Sequence, residues 1–264
     1  MGGCVKASWK YAFASVKGTS HEKNGLPCQD ASLCEILKDK NGQDILVAVV
    51  SDGAGSAQLS DQGSKLICAL FMDEMKALLA TGQGTEDVTE AFFKTWLNYF
   101  QKEIKVRAEI SLGTPRDFAC TFLCAIISNE CEIFAQIGDG AIVVSNELDQ
   151  YSWVFWPHQG EYENTTFFAT DVKAEEWLQY ERRKGVPCFE VALFSDGLQR
   201  LALHYQTQSA HSPFFRPFFS ALRSQEQSVS DKYTQSLISF LGSPPVNERT
   251  DDDKTFILVT RRGD

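Results

Sequence analysis

No apolar run in the sequence reaches the roughly 18 residues that a membrane-spanning helix needs, and no membrane partner is expected. Basic residues are also in short supply: 25 Lys and Arg stand against 35 Asp and Glu, a formal net charge of −10. General binding to nucleic acid demands basic surface, so nucleic acid is not expected as a partner either. The first residues, Met1–Ser8, hold no apolar segment of signal-peptide type. Gly2 invites a myristoylation reading, but Lys6 stands where that pattern wants Ser or Thr. A cytoplasmic location is the expectation. The eight cysteines contain no C-x-x-C pair; the nearest spacing is Cys120-x-x-x-Cys124, which places both on one face of a strand, and Cys68 and Cys124 have apolar neighbours. They read as reduced core thiols rather than a disulfide frame or a zinc site. A G-x-x-x-x-G-K-[S/T] loop is missing, and Asp52-Gly-Ala-Gly lacks the third glycine of a dinucleotide fingerprint.

What the sequence does hold is organised around Ile45-Leu-Val-Ala-Val-Val-Ser-Asp-Gly-Ala-Gly-Ser56. A continuous, mostly β-branched run reads as a strand buried on both faces. Two glycines in the next few residues allow a sharp turn and a close backbone approach. Asp52, set where a buried strand stops, has a rigid base and an open mouth, which suits a metal ligand or a nucleophile; an aspartate capping a turn fits the same pattern.

Along the chain, Trp9–Val16 reads as a first strand, 18–29 as a loop, and Ser32–Leu37 as a strand joined through Asn41-Gly42 to the 45–51 strand. Apolar residues recur at helical spacing over 61–79 and 86–110, with Gly82-Gln-Gly84 between them. Strands are expected over 118–128, 131–137, 141–145 and 151–155, then a polar, aromatic flap over 157–170. A strand over 189–195, two helices over 213–224 and 229–241, and a last strand over 255–260 complete the order. With no internal repeat and no low-complexity linker, one domain over 1–264 is the simplest expectation.

Asp30, Asp52, Asp196 and the Asp251-Asp252-Asp253 cluster each border an apolar strand, and Asp139 lies in its own Gly138-Asp139-Gly140 turn. Carboxylates gathered at one rim of a sheet repel unless protonated or bound to cations. Hard oxygen ligands suit Mg²⁺ or Mn²⁺, and two such ions can activate a water toward phosphorus. Spacing alone leaves this reading level with a set of solvated turn acids.

The ordered set Gln29-Asp30-Ala31, Ser51-Asp52-Gly53-Ala54-Gly55, Ile137-Gly138-Asp139-Gly140, Phe194-Ser195-Asp196-Gly197 and Asp252-Asp253-Lys254-Thr255 resembles the protein phosphatase 2C family of metal-dependent serine/threonine phosphatases, in its bacterial branch. The resemblance spans about residues 9 to 262. It implies an α+β fold, a four-layer α-β-β-α sandwich of two antiparallel sheets flanked by helix pairs. It implies an enzyme that hydrolyses phosphoserine and phosphothreonine with a metal-bridging hydroxide at a binuclear Mn²⁺ or Mg²⁺ centre. Asp52 would bridge the two ions, with the Gly53 carbonyl as a further ligand. Asp30 would hold metal-bound waters, Asp196 and Asp252 would bind the other ion, and Asp139 with Asp196 would take a weaker third. Phosphorylated proteins, and a cognate protein kinase, are the partners it implies.

Two positions depart from the family pattern. Gly25 stands five residues before Asp30, where many members carry an arginine that grips the substrate phosphate; His21 and Lys23 are the local substitutes. Ala54 stands where eukaryotic members have a histidine. The missing arginine also admits a different class of function, a metal-binding phospho-sensor without turnover. A phospho-aspartate mechanism on Asp52 wants a second acid two residues on, where Ala54 stands. His158, His204 and His211 read as surface or boundary residues, Arg200 as a residue of the cleft or the cover of a helix, and Phe214–Phe219 as core or a packing site for the flap.

Overall fold

A computed structural model of the protein describes residues 9–157, 166–185 and 188–262. The chain opens with β1 (Lys10–Val16), a short helix α1 (Thr19–Lys23) and the hairpin of β2 (Ala31–Lys38) and β3 (Asp44–Ser51). Two long helices follow, α2 (Ser60–Ala80) and α3 (Glu90–Ile110). Next come β4 (Phe122–Ile127), β5 (Cys131–Ile137), β6 (Ala141–Ser145), β7 (Tyr151–Trp153) and β8 (Gln179–Lys184). After β9 (Glu190–Phe194) a one-turn helix α4 (Gln199–Ala202) leads into a miniature hairpin, β10 (Leu203–His204) and β11 (Ser209–Ala210). Helices α5 (Ser212–Arg223), α6 (Asp231–Leu241) and α7 (Pro244–Asn247) precede β12 (Lys254–Thr260).

The strands form two five-stranded antiparallel sheets, in the orders β1-β12-β9-β6-β7 (the first sheet) and β2-β3-β4-β5-β8 (the second). Side chains alternate across a strand, and here each central strand is apolar on both sides. In β3, Ile45, Val47 and Val49 join the cluster under α2 and α3, while Leu46, Ala48 and Val50 join the cluster between the sheets. β12 divides the same way: Phe256 and Leu258 pack toward α5 and α6, Ile257 and Val259 toward the other sheet. Three apolar layers between four layers of secondary structure therefore follow from the unbroken apolar runs. Each fully buried Leu, Ile or Phe contributes roughly 1.5–3 kcal/mol. The helix-side layer is aromatic: Phe71 meets Trp96 edge-on at 4.9 Å and Phe122 at 5.0 Å.

Two of the helices start at a side-chain cap. The Thr89 hydroxyl accepts the Phe92 amide ahead of α3, and the Ser230 hydroxyl accepts the Tyr233 amide ahead of α6. The α+β sandwich is as expected, with local differences. The 18–29 stretch contains α1, five residues too short and polar to carry a periodic signal. Residues Pro115–Phe118 form a 3₁₀ turn, so the strand expected from 118 begins at Phe122. The segment 86–110 is divided, with a 3₁₀ turn at Thr85–Asp87 before α3. β8 has no counterpart in the sequence reading: Gln-Tyr-Glu-Arg-Arg-Lys is charged, as an edge strand tends to be. Within the expected 157–170 flap, 158–165, with His158, lies outside the described residues. The seven described cysteines are all free, and Cys120 and Cys124 share one cluster.

Candidate metal centre

Strand register brings the five singled-out acids to one end of the sandwich. Asp30 precedes β2 and Asp52 follows β3, and Ala31 pairs with Ser51 between them. Asp139 follows β5, whose Ile137 pairs with Phe122 at the start of β4. Phe194, two residues before Asp196, pairs with Phe256 of β12 and with Ala141 of β6; Asp252 stands two residues before β12. Asp30 and Asp52 therefore hang from the second sheet, Asp196 and Asp252 from the first, and Asp139 from the turn that crosses between them.

The backbone under these acids is tightly fixed. Asp52 donates its amide to Thr121 Oγ1 at 2.9 Å and accepts the Thr121 amide at 2.8 Å, which leaves its side chain to face the rim. A β-carbon at Gly53 would lie 2.7 Å from the Gln29 carbonyl and 2.8 Å from that of Ser60, so only glycine fits beside Asp52. Gly197 is under the same constraint from the Asp253 carbonyl, at 2.0 Å. Ser195 accepts the Thr255 amide at 3.0 Å and donates to Asp30 Oδ2 at 2.6 Å, a bond from the first sheet to the second.

Burial and mutual repulsion raise every one of these carboxyls. Asp30 is 4% exposed and is pushed up to about 8, first by burial and then by Asp253 and Asp196, against the hydrogen bonds from Ser195 and Thr255. Asp52 is held well above the carboxylate range by burial, with Asp30 and Asp196 adding to it. Asp196 rises to about 7, first by burial and then through Asp139. Asp139 is raised by burial although the Thr166 hydroxyl donates to its Oδ2 at 2.6 Å. Asp252 is the most exposed of the five, and partial burial of its carboxyl raises it too.

Among the described residues, no Lys, Arg or His forms an ion pair with any of the five. Asp30 Oδ1 and Asp196 Oδ1 are buried and have no hydrogen-bond partner. Orphaned oxygens in an uncompensated acidic pocket fit hard divalent cations. Among the described residues, no group of three or more His, Cys, Asp or Glu side chains is gathered closely enough to hold a metal ion by itself. Such a rim suits ions that keep several waters, as Mg²⁺ does.

The remaining sequence candidates fall differently. His21 is buried, and its Nδ1 lies 2.9 Å from Asp253 Oδ2. Asp253 also accepts the amides of Gly18 and Gln29, both at 2.6 Å, so the last acid of the 251–253 run is a structural joint. His21 is engaged there rather than turned out to a substrate phosphate; Lys23 is exposed in α1. Gly25 has φ +68°, a left-handed conformation that would strain an arginine. Phe215 and Phe219 are fully buried, and His204 Nε2 lies 2.5 Å from His211 Nδ1 on the miniature hairpin. Sequence reasoning missed Thr121, Gln199 and Tyr205. Thr121 carries no signal beyond a place before a strand. Gln199 Nε2 donates to the Asp139 carbonyl, and its nearness to Asp196 was the only clue.

The sequence profile of protein phosphatase 2C matches residues 17–242. Serine/threonine-protein phosphatase 3 of Escherichia coli (strain K12) is 40% identical over 254 residues, 96% of this chain and 98% of that protein. Serine/threonine phosphatase Stp1 from Staphylococcus aureus shares the fold with a TM-score of 0.61 at 16% identity, over 97% of this chain and 96% of that one. The catalytic domain of the serine/threonine protein phosphatase PstP, solved in complex with two manganese ions, does so with a TM-score of 0.61 at 15% identity, over 96% and 97% of the two chains. With five acids at one end of a matching double sandwich and a profile match over most of its length, the chain belongs to the protein phosphatase 2C family.

Proposed function

We propose that this protein is a metal-dependent phosphatase that hydrolyses phosphoserine and phosphothreonine in proteins at the acidic rim, the whole chain forming one catalytic domain. The observation that carries this reading is the pair of buried, unpartnered oxygens, Asp30 Oδ1 and Asp196 Oδ1, among acids that form no ion pair with the described residues. Two Mn²⁺ or Mg²⁺ ions are the occupants its donor set favours, with Asp52 and the Gly53 carbonyl, Asp196 and Asp252 as ligands and Asp30 behind their waters. Asp139, with Asp196, would take part in a weaker third site. Bound there, the ions would supply a water activated as a nucleophile and would neutralise charge on the phosphoryl group.

The protein's own part is to hold these acids in place. Thr121 fixes the backbone of Asp52, Ser195 orients Asp30, and the missing side chains at Gly53 and Gly197 let the neighbouring strands close on them. Ala54 offers no proton to a leaving serine oxygen. Lys23 is the exposed local cation for the substrate phosphate. A protein kinase that writes the same phosphorylations is the natural counterpart of this activity, in a cytoplasmic setting.

The test is phosphate release from a phosphothreonine peptide with Mn²⁺, with EDTA in its place, and with the Asp52→Asn variant. Release that requires both the metal and Asp52 supports the reading. Metal binding by calorimetry without any release would instead favour a phospho-sensor, which the strained place for an arginine at Gly25 allows.

A further inference from the structure

The turn that carries Asp139 is clamped by two glutamines. Gln136, fully buried in β5, donates through Nε2 to the Gly138 carbonyl at 3.2 Å and the Gly140 carbonyl at 2.9 Å. Gln199 Nε2 donates to the carbonyl of Asp139 itself. All three carbonyls of the turn are therefore held by side-chain amides. Gln136 belongs to the same strand as the turn and can only stiffen it. Gln199 belongs to the segment that begins with Asp196, three residues earlier, so its bond ties one acid-bearing segment to the other.

Gln199 is itself held. The Tyr205 hydroxyl donates to its Oε1, and Tyr205 sits at the tip of the β10–β11 hairpin. The hairpin is anchored in turn: Trp156 packs edge-on against Tyr205 at 5.5 Å, and Trp153 Nε1 donates to the Gln208 carbonyl at 2.7 Å. A continuous line runs from the edge strand β7 through the hairpin tip to the Asp139 peptide.

We propose that Gln199, oriented by Tyr205, is a positioning residue that sets the separation of Asp139 and Asp196, and so the affinity of the weaker third ion. The proposal rests on the metal reading given above. Removal of a partner of this outer-shell kind typically lowers metal affinity by about 10- to 100-fold.

Mn²⁺ calorimetry on the full chain tests it, for wild type, Gln199→Ala and Tyr205→Phe, with the Mn²⁺ concentration for half-maximal phosphate release measured alongside. The expected result is a weakest Mn²⁺ step about tenfold weaker in Gln199→Ala, tighter steps unmoved, and a smaller weakening in Tyr205→Phe. Half-activation should shift in parallel, and excess Mn²⁺ should restore most of the rate. Tyr205→Phe removes only a hydroxyl from a partly exposed ring, so it remains informative where Gln199→Ala does not fold. Wild-type protein that binds Mn²⁺ in several steps, with every step unchanged in the folded variants, overturns this inference alone. Wild-type protein that binds no Mn²⁺ overturns the metal reading beneath it.

Discussion

The two ends of the sandwich both gather acids and treat them in opposite ways. At the far end, where β9 begins and β12 finishes, Glu190 is fully buried but takes Arg223 Nε at 2.7 Å and the Tyr151 hydroxyl at 3.0 Å. Asp149 close by takes Arg223 at 2.7 Å and Arg262 at 2.8 Å. At the rim end, Asp30, Asp52, Asp139 and Asp196 have no such cations among the described residues, and two of their oxygens have no partner at all. One end neutralises its carboxylates with protein, as a structural network does. The other leaves the neutralising charge to be supplied from outside, which is the mark of a site.

The largest expected effect that separates them is at the far end. Glu190→Ala leaves a half-buried guanidinium short of its main partner and should cost about 3 kcal/mol of stability, read from denaturant midpoints. Mn²⁺-dependent turnover per folded molecule should stay as in wild type; a loss would mean the ends are not independent. At the rim the sign reverses. Asp52→Asn removes one of several repelling acids and should raise metal-free stability by about 1 kcal/mol near pH 8, while abolishing phosphate release. A destabilised metal-free variant would break the comparison.

The comparison is sharpened most by the pH slope. Asp30 and Asp196, raised to about 8 and about 7 from 3.8, keep their protons longer in the folded chain. Their contribution is complete below the ordinary carboxylate value and is lost as pH climbs through those raised values. Asp149, held low by Arg223, does the opposite: its contribution is present above 3.8 and lost on acidification. Melting temperatures between about pH 5 and pH 8.5 should therefore fall with EDTA present, and Mn²⁺ should flatten that fall. A melting temperature that rises with pH in EDTA would place the rim protons elsewhere.

The sandwich and the five acids were legible because both come from the same physics. Strands buried on two faces are written as unbroken apolar runs, and Asp-Gly is how such a run can end in a tight turn with a carboxylate at its mouth. What was not legible lacks that pattern. β8 is a charged edge strand, α1 is a single polar turn, and the 203–210 hairpin is too short for alternation to register. Within Asp251-Asp252-Asp253 pattern and spacing do not tell the acids apart; only the family resemblance singled out Asp252. The fold buries Asp253 against two amides and His21 and leaves Asp252 open. Gln199 was invisible for a related reason: an amide acting on a backbone carbonyl from another segment has no spacing to read.

The Ser195 hydroxyl reaches from its own sheet to Asp30 on the other. The rim acids straddle the same boundary, so ions lodged among them would act as rivets through the seam of the sandwich. Metal supply would then be felt twice: as turnover, and as the resistance of the strand ends to hydrogen exchange and proteases. A cell short of the divalent ion would hold a looser molecule as well as an idle one.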